Sequence, residues 1–300
     1  MSSAATITAR QPEQGSYVPY LALIGAMLVI AGGASFAKHL FPLVGPQALT
    51  AYRVGFAALI LAIVFRPWRM KLTRDDALRI AAYGAVLGCM NLVFYMALRT
   101  LPIGIAVAIE FLGPLSLSLA LSRRPIHFVA IGLAALGVAL LLPIWNQGRG
   151  LDPVGVCYAL AAGVCWALYI LLGKRTAHLP GGQSVALGMA VAAVVTVPFG
   201  LHSAGVGFFK PELIVGGLIV AVLSSAIPYS LEMVAMRRIP ARNFGVLLSL
   251  EPAIGGLSAM LVLGEMLTVA QWVAIMLVVS ASALSVGFDA KGKAAAQNAP

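Results

Sequence analysis

Apolar residues run along this chain in blocks of about twenty, separated by short clusters of arginine, lysine, proline and polar turn residues. A block of that length is what a helix needs to cross ~30 Å of hydrocarbon. Bounding each block by its charges, prolines and turns predicts ten helices, near 18–40, 46–65, 78–98, 103–121, 126–144, 153–172, 183–201, 213–236, 243–263 and 267–287. The expected fold class is therefore an all-α membrane protein with ten transmembrane helices. The longest connection, about 66–77, is too short to fold by itself, so the activity has to reside within the bilayer. Residues 1–16 lack the regions of a secretory signal and read as a cytoplasmic tail; residues 288–300 read as a disordered one.

Composition sharpens this picture. The chain is 61% hydrophobic and 10% charged, against about 25% charged in soluble proteins. A net charge of +10 would elsewhere suggest nucleic acid, but the basic residues lie between apolar blocks and form no basic domain. Alternate connections hold 15 and 4 of the lysines and arginines, with Arg53 left inside the second block. The positive-inside rule then places both termini in the cytoplasm, which requires an even number of spans. Cys89, Cys157 and Cys165 fall inside apolar blocks without a CxxC, so they read as small core residues.

The two halves share landmarks. Arg99-Thr100-Leu101-Pro102 opens the fourth block and Arg237-Arg238-Ile239-Pro240 precedes the ninth; Pro114 and Pro252 each follow twelve residues after the first proline, so both pairs are displaced by 138 residues. Lys38 and Lys174 lie 136 apart. This predicts two five-helix repeats, 17–145 and 146–287, that together form one transport domain. Five is odd, so the copies cross the membrane in opposite directions, an arrangement characteristic of alternating-access transporters.

Polar residues inside a bilayer cost roughly 2.5–3.5 kcal/mol when charged, so they face a cavity or a partner. Glu110 and Glu251 lie near mid-membrane in the fourth and ninth blocks, Arg53 is inside the second, Lys38 closes the first, and Glu232 is close to the cytoplasmic end of the eighth. A structural alternative pairs Arg53 with one glutamate and Glu232 with Arg237 or Arg238 at the rim. Helical spacing adds Ala31, Ser35 and Lys38 on one face, Gly88, Asn91 and Tyr95 on another, and Ser225, Tyr229 and Glu232 on a third. Trp166 and Tyr169 in the sixth block are candidate cavity walls. Gly84-x-x-x-Gly88 permits close helix approach, and Pro114, Pro228 and Pro252 free carbonyls that can serve as hinges or ligands. The four histidines, His39, His127, His178 and His202, are scattered without HxxxH or HExxH, and no GxxxxGK[ST] is present. A membrane enzyme, a metal or cofactor site, and direct ATP drive are accordingly not expected.

Several ordered motifs resemble one family. They are Gly32-Gly33-Ala34-Ser35-Phe36-Ala37-Lys38 with Phe41-Pro42-Leu43-Val44-Gly45, Glu110-Phe111-Leu112-Gly113-Pro114, Ser122-Arg123-Arg124-Pro125, Cys165-Trp166-Ala167-Leu168-Tyr169-Ile170, Pro228-Tyr229-Ser230-Leu231-Glu232-Met233, and Glu251-Pro252-Ala253 with Leu263-Gly264-Glu265. Over roughly 17–287 the chain is similar to bacterial inner-membrane exporters of the drug/metabolite transporter superfamily, EamA type, and within it to exporters of threonine and homoserine. The resemblance implies a secondary exporter of small amino acids and related metabolites; the other readings are an uncoupled facilitator or an exporter of a nucleoside, drug or different amino acid.

For an amino-acid substrate, Arg53 or Lys38 would meet the carboxylate and Glu110 or Glu251 the ammonium, with Ser35, Asn91, Tyr95, Trp166, Tyr169 and Tyr229 completing the site. A carboxylate held away from bulk water can also bind and release a proton, so Glu110 and Glu251 are the candidates for coupling export to proton entry. The expected partners are thus the small-molecule substrate, protons and lipid, and no nucleic acid. The oligomeric state is left open.

Overall fold

The computed structural model describes residues 17–120, 129, 132–134, 136, 137, 140, 151–176, 178–205, 208, 210–236 and 247–297, and every regular element among them is helical. In chain order these are α1 (Val18–Phe65), a short 3₁₀ turn (Pro67–Arg69), α2 (Arg74–Ala97), α3 (Ile103–Glu110), α4 (Leu112–Ala120), α5 (Pro153–Arg175), α6 (Gly181–Ala204), α7 (Pro211–Ala221), a π segment (Val222–Ala226), α8 (Ile227–Met236), α9 (Glu251–Leu263) and α10 (Val269–Gln297). Five of the runs are long and apolar enough to cross a membrane: Val18–Phe65, Arg74–Ala97, Pro153–Arg175, Gly181–Ala204 and Pro211–Glu232. Large apolar side chains such as Leu59, Ile63, Val194 and Leu261 are exposed on the outer faces, where a bilayer would cover them. Most of the expected fifth helix, 126–144, lies outside the described residues, as do 237–246 and the tail 1–16.

The first two expected helices are both present, the first running on to Val44, and they meet at a kink at Gly45. Gly45 adopts φ 75° and ψ 163°. The proline that follows disfavours helical geometry at residue 45 and cannot donate to the preceding turn, while a positive φ with this ψ is open only to glycine. The limbs on either side, 18–44 and 46–65, are ~40 and ~30 Å long at 1.5 Å per residue. Gly45→Ala should cost about 1–3 kcal/mol, because alanine must hold a backbone conformation that L residues avoid. Thermal unfolding of the detergent-solubilised protein measures it, and an unchanged midpoint would mean that the bend does not depend on glycine.

Other breaks also follow from proline. Pro114 has no N–H for the Glu110 carbonyl four residues back, and the fourth expected helix is interrupted at Phe111, between α3 and α4. Pro228 likewise cannot serve the carbonyl of Ser224, which lies in the π segment joining α7 to α8. Caps set several helix starts. Asp152 accepts the Val154 and Gly155 N–H groups at 3.3 and 3.1 Å before α5, and a hydrogen bond from Thr100 holds its carboxyl below the usual carboxylate range. Thr268 and Gln271 bond reciprocally at the start of α10, with Gln271 Oε1 accepting at 2.8 Å and Thr268 Oγ1 at 3.3 Å. α10 runs on to Gln297, so residues 288–297 are not the separate disordered tail expected; the alanine-rich AKGKAAAQ segment has high intrinsic helix propensity.

α1 is the centre of the assembly, packing on α6, α7, the π segment, α8 and α9, while α2 packs on α5 and α6, and α3 on α5 and α9. Small residues permit the close crossings. At Gly88 of α2 a Cβ would lie 2.9 Å from the Ala192 carbonyl of α6, and at Gly84 it would meet the Gly188 carbonyl. The expected Gly84-x-x-x-Gly88 contact is therefore an α2–α6 seam. Gly104 of α3 approaches Gly256 of α9, where a Cβ would lie 2.6 Å from the Gly256 Cα.

Candidate functional site

Between these helices lies a cavity of about 150 Å³. The first limb of α1 contributes Ile30, Ala31 and Ala34, and its second limb Arg53. α2 presents Met90, Asn91 and Phe94; α3 presents Ile103, Val107 and Glu110; α5 presents Trp166 and Tyr169; α8 presents Tyr229 and Glu232; α9 presents Glu251 and Gly255. One cation and three carboxylates thus share a small space. Glu110 lies within electrostatic reach of both Glu251 and Arg53, and Glu251 within reach of Glu232.

Arg53 is 5% exposed and firmly held. Its Nε donates to Ser225 Oγ at 3.0 Å and its Nη2 to the Ser224 carbonyl at 3.0 Å, the carbonyl that Pro228 cannot serve. The Tyr95 ring lies against the guanidinium, 5.2 Å from centroid to Cζ, a cation–π distance. Among the described residues the ion pairs are Lys38–Glu265 and Asp76–His178, so the alternative of a direct Arg53–glutamate salt bridge is not realised among them. Arg237 and Arg238, the alternative partners for Glu232, lie outside the described residues. Asn91 donates to the Leu87 carbonyl one turn back at 2.8 Å. The Tyr169 hydroxyl accepts from Tyr83 at 3.1 Å, and their rings stack at 4.9 Å. Trp166 packs edge-on against Phe111 at 5.3 Å, which seats it beside the break between α3 and α4. Glu251 Oε2 is buried without a hydrogen-bond partner among the described residues.

Of the residues singled out from the sequence, Arg53, Asn91, Glu110, Trp166, Tyr169, Tyr229 and Glu251 line this one cavity. Tyr95 is fully buried behind it, against Arg53. Ser35 and Lys38 stand outside the lining. Ser35 Oγ donates to the Ala31 carbonyl at 2.9 Å and meets Ser258 Oγ at 3.2 Å. Lys38 Nζ lies 2.5 Å from Glu265 Oε1 and donates to the Leu101 carbonyl at 2.6 Å. An internal carboxylate therefore holds the lysine that was a candidate for the substrate's own. Glu232, left between a rim pair and a site residue by spacing, belongs to the lining. Met90, Phe94, Ile103 and Val107 were not anticipated, because an apolar cavity wall and an apolar core have the same composition.

Polar ties stand at the two ends of α2. Beyond its last turn, Glu265 joins Lys38 to the α3 start by accepting the Ile103 N–H at 3.2 Å. At its first turn, Thr73 donates to Asp76 at 2.7 Å and His178 lies 2.8 Å from the same carboxylate. The 24 residues of α2 set the ties ~36 Å apart.

Residues 153–287 match the model of the EamA-like transporter family. The chain is 46% identical over 266 residues to the threonine/homoserine exporter RhtA of Escherichia coli strain K12, covering 89% of this chain and 90% of that protein. RhtA of Salmonella typhimurium strain SL1344 gives the same identity and coverage. An uncharacterized transporter of Bacillus subtilis, YwfM, is 25% identical over 244 residues, 77% of this chain and 81% of its own. A crystal structure of a protein 20% identical in sequence superposes with a TM-score of 0.61 over 90% of this chain and 97% of that one, which shows a shared fold. A relative this similar over nearly its whole length, together with the matched second half, means that the chain belongs to the EamA-like transporter family.

Proposed function

We propose that this protein exports small neutral amino acids of the threonine and homoserine kind across the bacterial inner membrane by alternating access, coupled to proton entry through Glu110 and Glu251. The observation that carries the reading is the small, carboxylate-lined cavity between the helices. A cavity near 150 Å³ is of the order that holds a small solute. The cavity's charges favour a polar, ammonium-bearing solute over an apolar one. The similarity to proteins named for threonine and homoserine export points the same way.

Alternating access is supported by the paired landmarks of the two halves. The helix interruptions at Phe111 and at Ser249–Leu250 stand 138 residues apart, the displacement that relates Pro114 to Pro252, so equivalent bends occur in both halves. On this reading ten spans form two inverted repeats, both termini are cytoplasmic, and the α2 end bearing Lys38–Glu265 faces outward while Asp76–His178 faces inward. Release of one tie while the other holds opens the cavity to one side at a time. Glu110 or Glu251 takes a proton from outside as substrate leaves, and gives it up inside before the next substrate binds.

Glu110→Gln and Glu251→Gln in proteoliposomes test the coupling. Each variant that removes the coupling group should still exchange threonine at saturating concentration and lose accumulation driven by a pH gradient, a drop of tenfold or more. If both retain gradient-driven accumulation, neither carboxylate carries the proton; if the unaltered protein moves neither threonine nor homoserine, the substrate assignment fails.

A further inference from the structure

Among the described residues, the polar donors in and beside the cavity are largely engaged. Arg53 gives Nε and Nη2 to Ser225 and Ser224 and lays its face on Tyr95; Asn91 gives Nδ2 to the Leu87 carbonyl; Lys38 is held by Glu265 and the Leu101 carbonyl outside the lining. Acceptors are in surplus. Glu110, Glu232 and Glu251 come from three helices to one small space, and Glu251 Oε2 is buried with no donor among the described residues. A buried acceptor of this kind is costly until a donor arrives, and a primary ammonium brings three N–H donors with a positive charge. A substrate carboxylate, by contrast, enters a space with three carboxylates and one guanidinium, two of whose three nitrogens are in use. For a zwitterion, therefore, the attraction lies at the ammonium end.

We propose that the cavity selects its substrate by the ammonium group, with Glu232 as a ligand beside Glu110 and Glu251, and that small primary amines without a carboxylate, amino alcohols and amino-acid amides, are also bound and carried. This deepens the exporter reading and rests on it for transport, though the binding site stands on the geometry alone. Threoninol and threoninamide, which match threonine in volume, are the amines that isolate the ammonium's part.

The test has two arms. In proteoliposomes preloaded with threonine, uptake of labelled threonine is competed by unlabelled threonine, threoninol, threoninamide and N-acetylthreonine. The two amines should inhibit within about threefold of threonine, and N-acetylthreonine, which keeps the carboxylate and loses the ammonium, should be at least tenfold weaker. In the second arm the same compounds are titrated against the solubilised protein by thermal shift, which needs no threonine flux. Stabilisation by threoninol and not by N-acetylthreonine supports the proposal even if threonine exchange is absent, in which case the amino-acid assignment fails and the ammonium site stands. The reverse order in either arm, or no stabilisation by either amine, overturns it. Glu232→Gln should weaken threoninol and threonine alike by about tenfold while the protein keeps its unfolding midpoint. Equal affinities in the variant would remove Glu232 from the set of ligands.

Discussion

Arg53→Ala is expected to lower stability by about 3–5 kcal/mol, the range for removing one member of a buried charged group. Two consequences add. The guanidinium spans from the second limb of α1 to the π segment through Ser224 and Ser225, so its loss unties the joint between α7 and α8. It is also the cation within the carboxylate cavity, so its loss leaves like charges facing one another in a poorly solvated space. Against a folded-state margin of about 5–15 kcal/mol, most of the protein should fail to survive extraction in detergent. Arg53→Lys keeps the charge and loses the planar fork, and should cost about 1–3 kcal/mol. Unfolding midpoints of both variants by thermal scanning measure the difference. A midpoint for Arg53→Ala within 2 °C of the unaltered protein would mean that the guanidinium does not hold the joint; that threshold is about 1 kcal/mol or less for a chain of this size.

Gly113→Val should be as severe, for a steric reason. A Cβ at Gly113 falls on the Gly163 peptide of α5, against its carbonyl group and 2.8 Å from its Cα. Backbone lies on both sides of the contact, so no side chain can swing away, and α4 must separate from α5. Overpacking in a core costs typically about 1–3 kcal/mol and occasionally more; a contact with no yielding partner belongs at the top of that range or above it. Gly32→Ala is the matched control, because a Cβ there meets nothing within 4 Å. The yield of monodisperse protein after size-exclusion chromatography should collapse for Gly113→Val and stay unchanged for Gly32→Ala.

Much of the site was legible because a charge in hydrocarbon must be explained. Arg53, Glu110 and Glu251 could be picked out by depth alone, and they meet in one cavity with Asn91, Tyr229, Tyr169 and Trp166. Pro114 and Pro228 likewise marked where helices bend, since a missing N–H is a local fact. Partners across the fold were not legible. Lys38 is satisfied by Glu265 and Ser35 is met by Ser258, and no local pattern signals a pairing made between distant helices. The end of the first helix, at Val44 rather than near residue 40, was missed for a different reason. Pro42, Gly45 and Pro46 together look like a loop, but only Gly45 leaves helical geometry.

The bond from Arg53 to Ser224 also has a consequence for synthesis, because its ends lie 171 residues apart. At roughly 5–20 residues per second, the second limb of α1 waits about 10–30 s after it is made before the π segment exists. Throughout that interval the arginine is in or near the membrane without its final acceptors, at the roughly 2.5–3.5 kcal/mol cost of an unpaired charge there. The second limb of α1 therefore reaches its settled position only after Ser224 has been made.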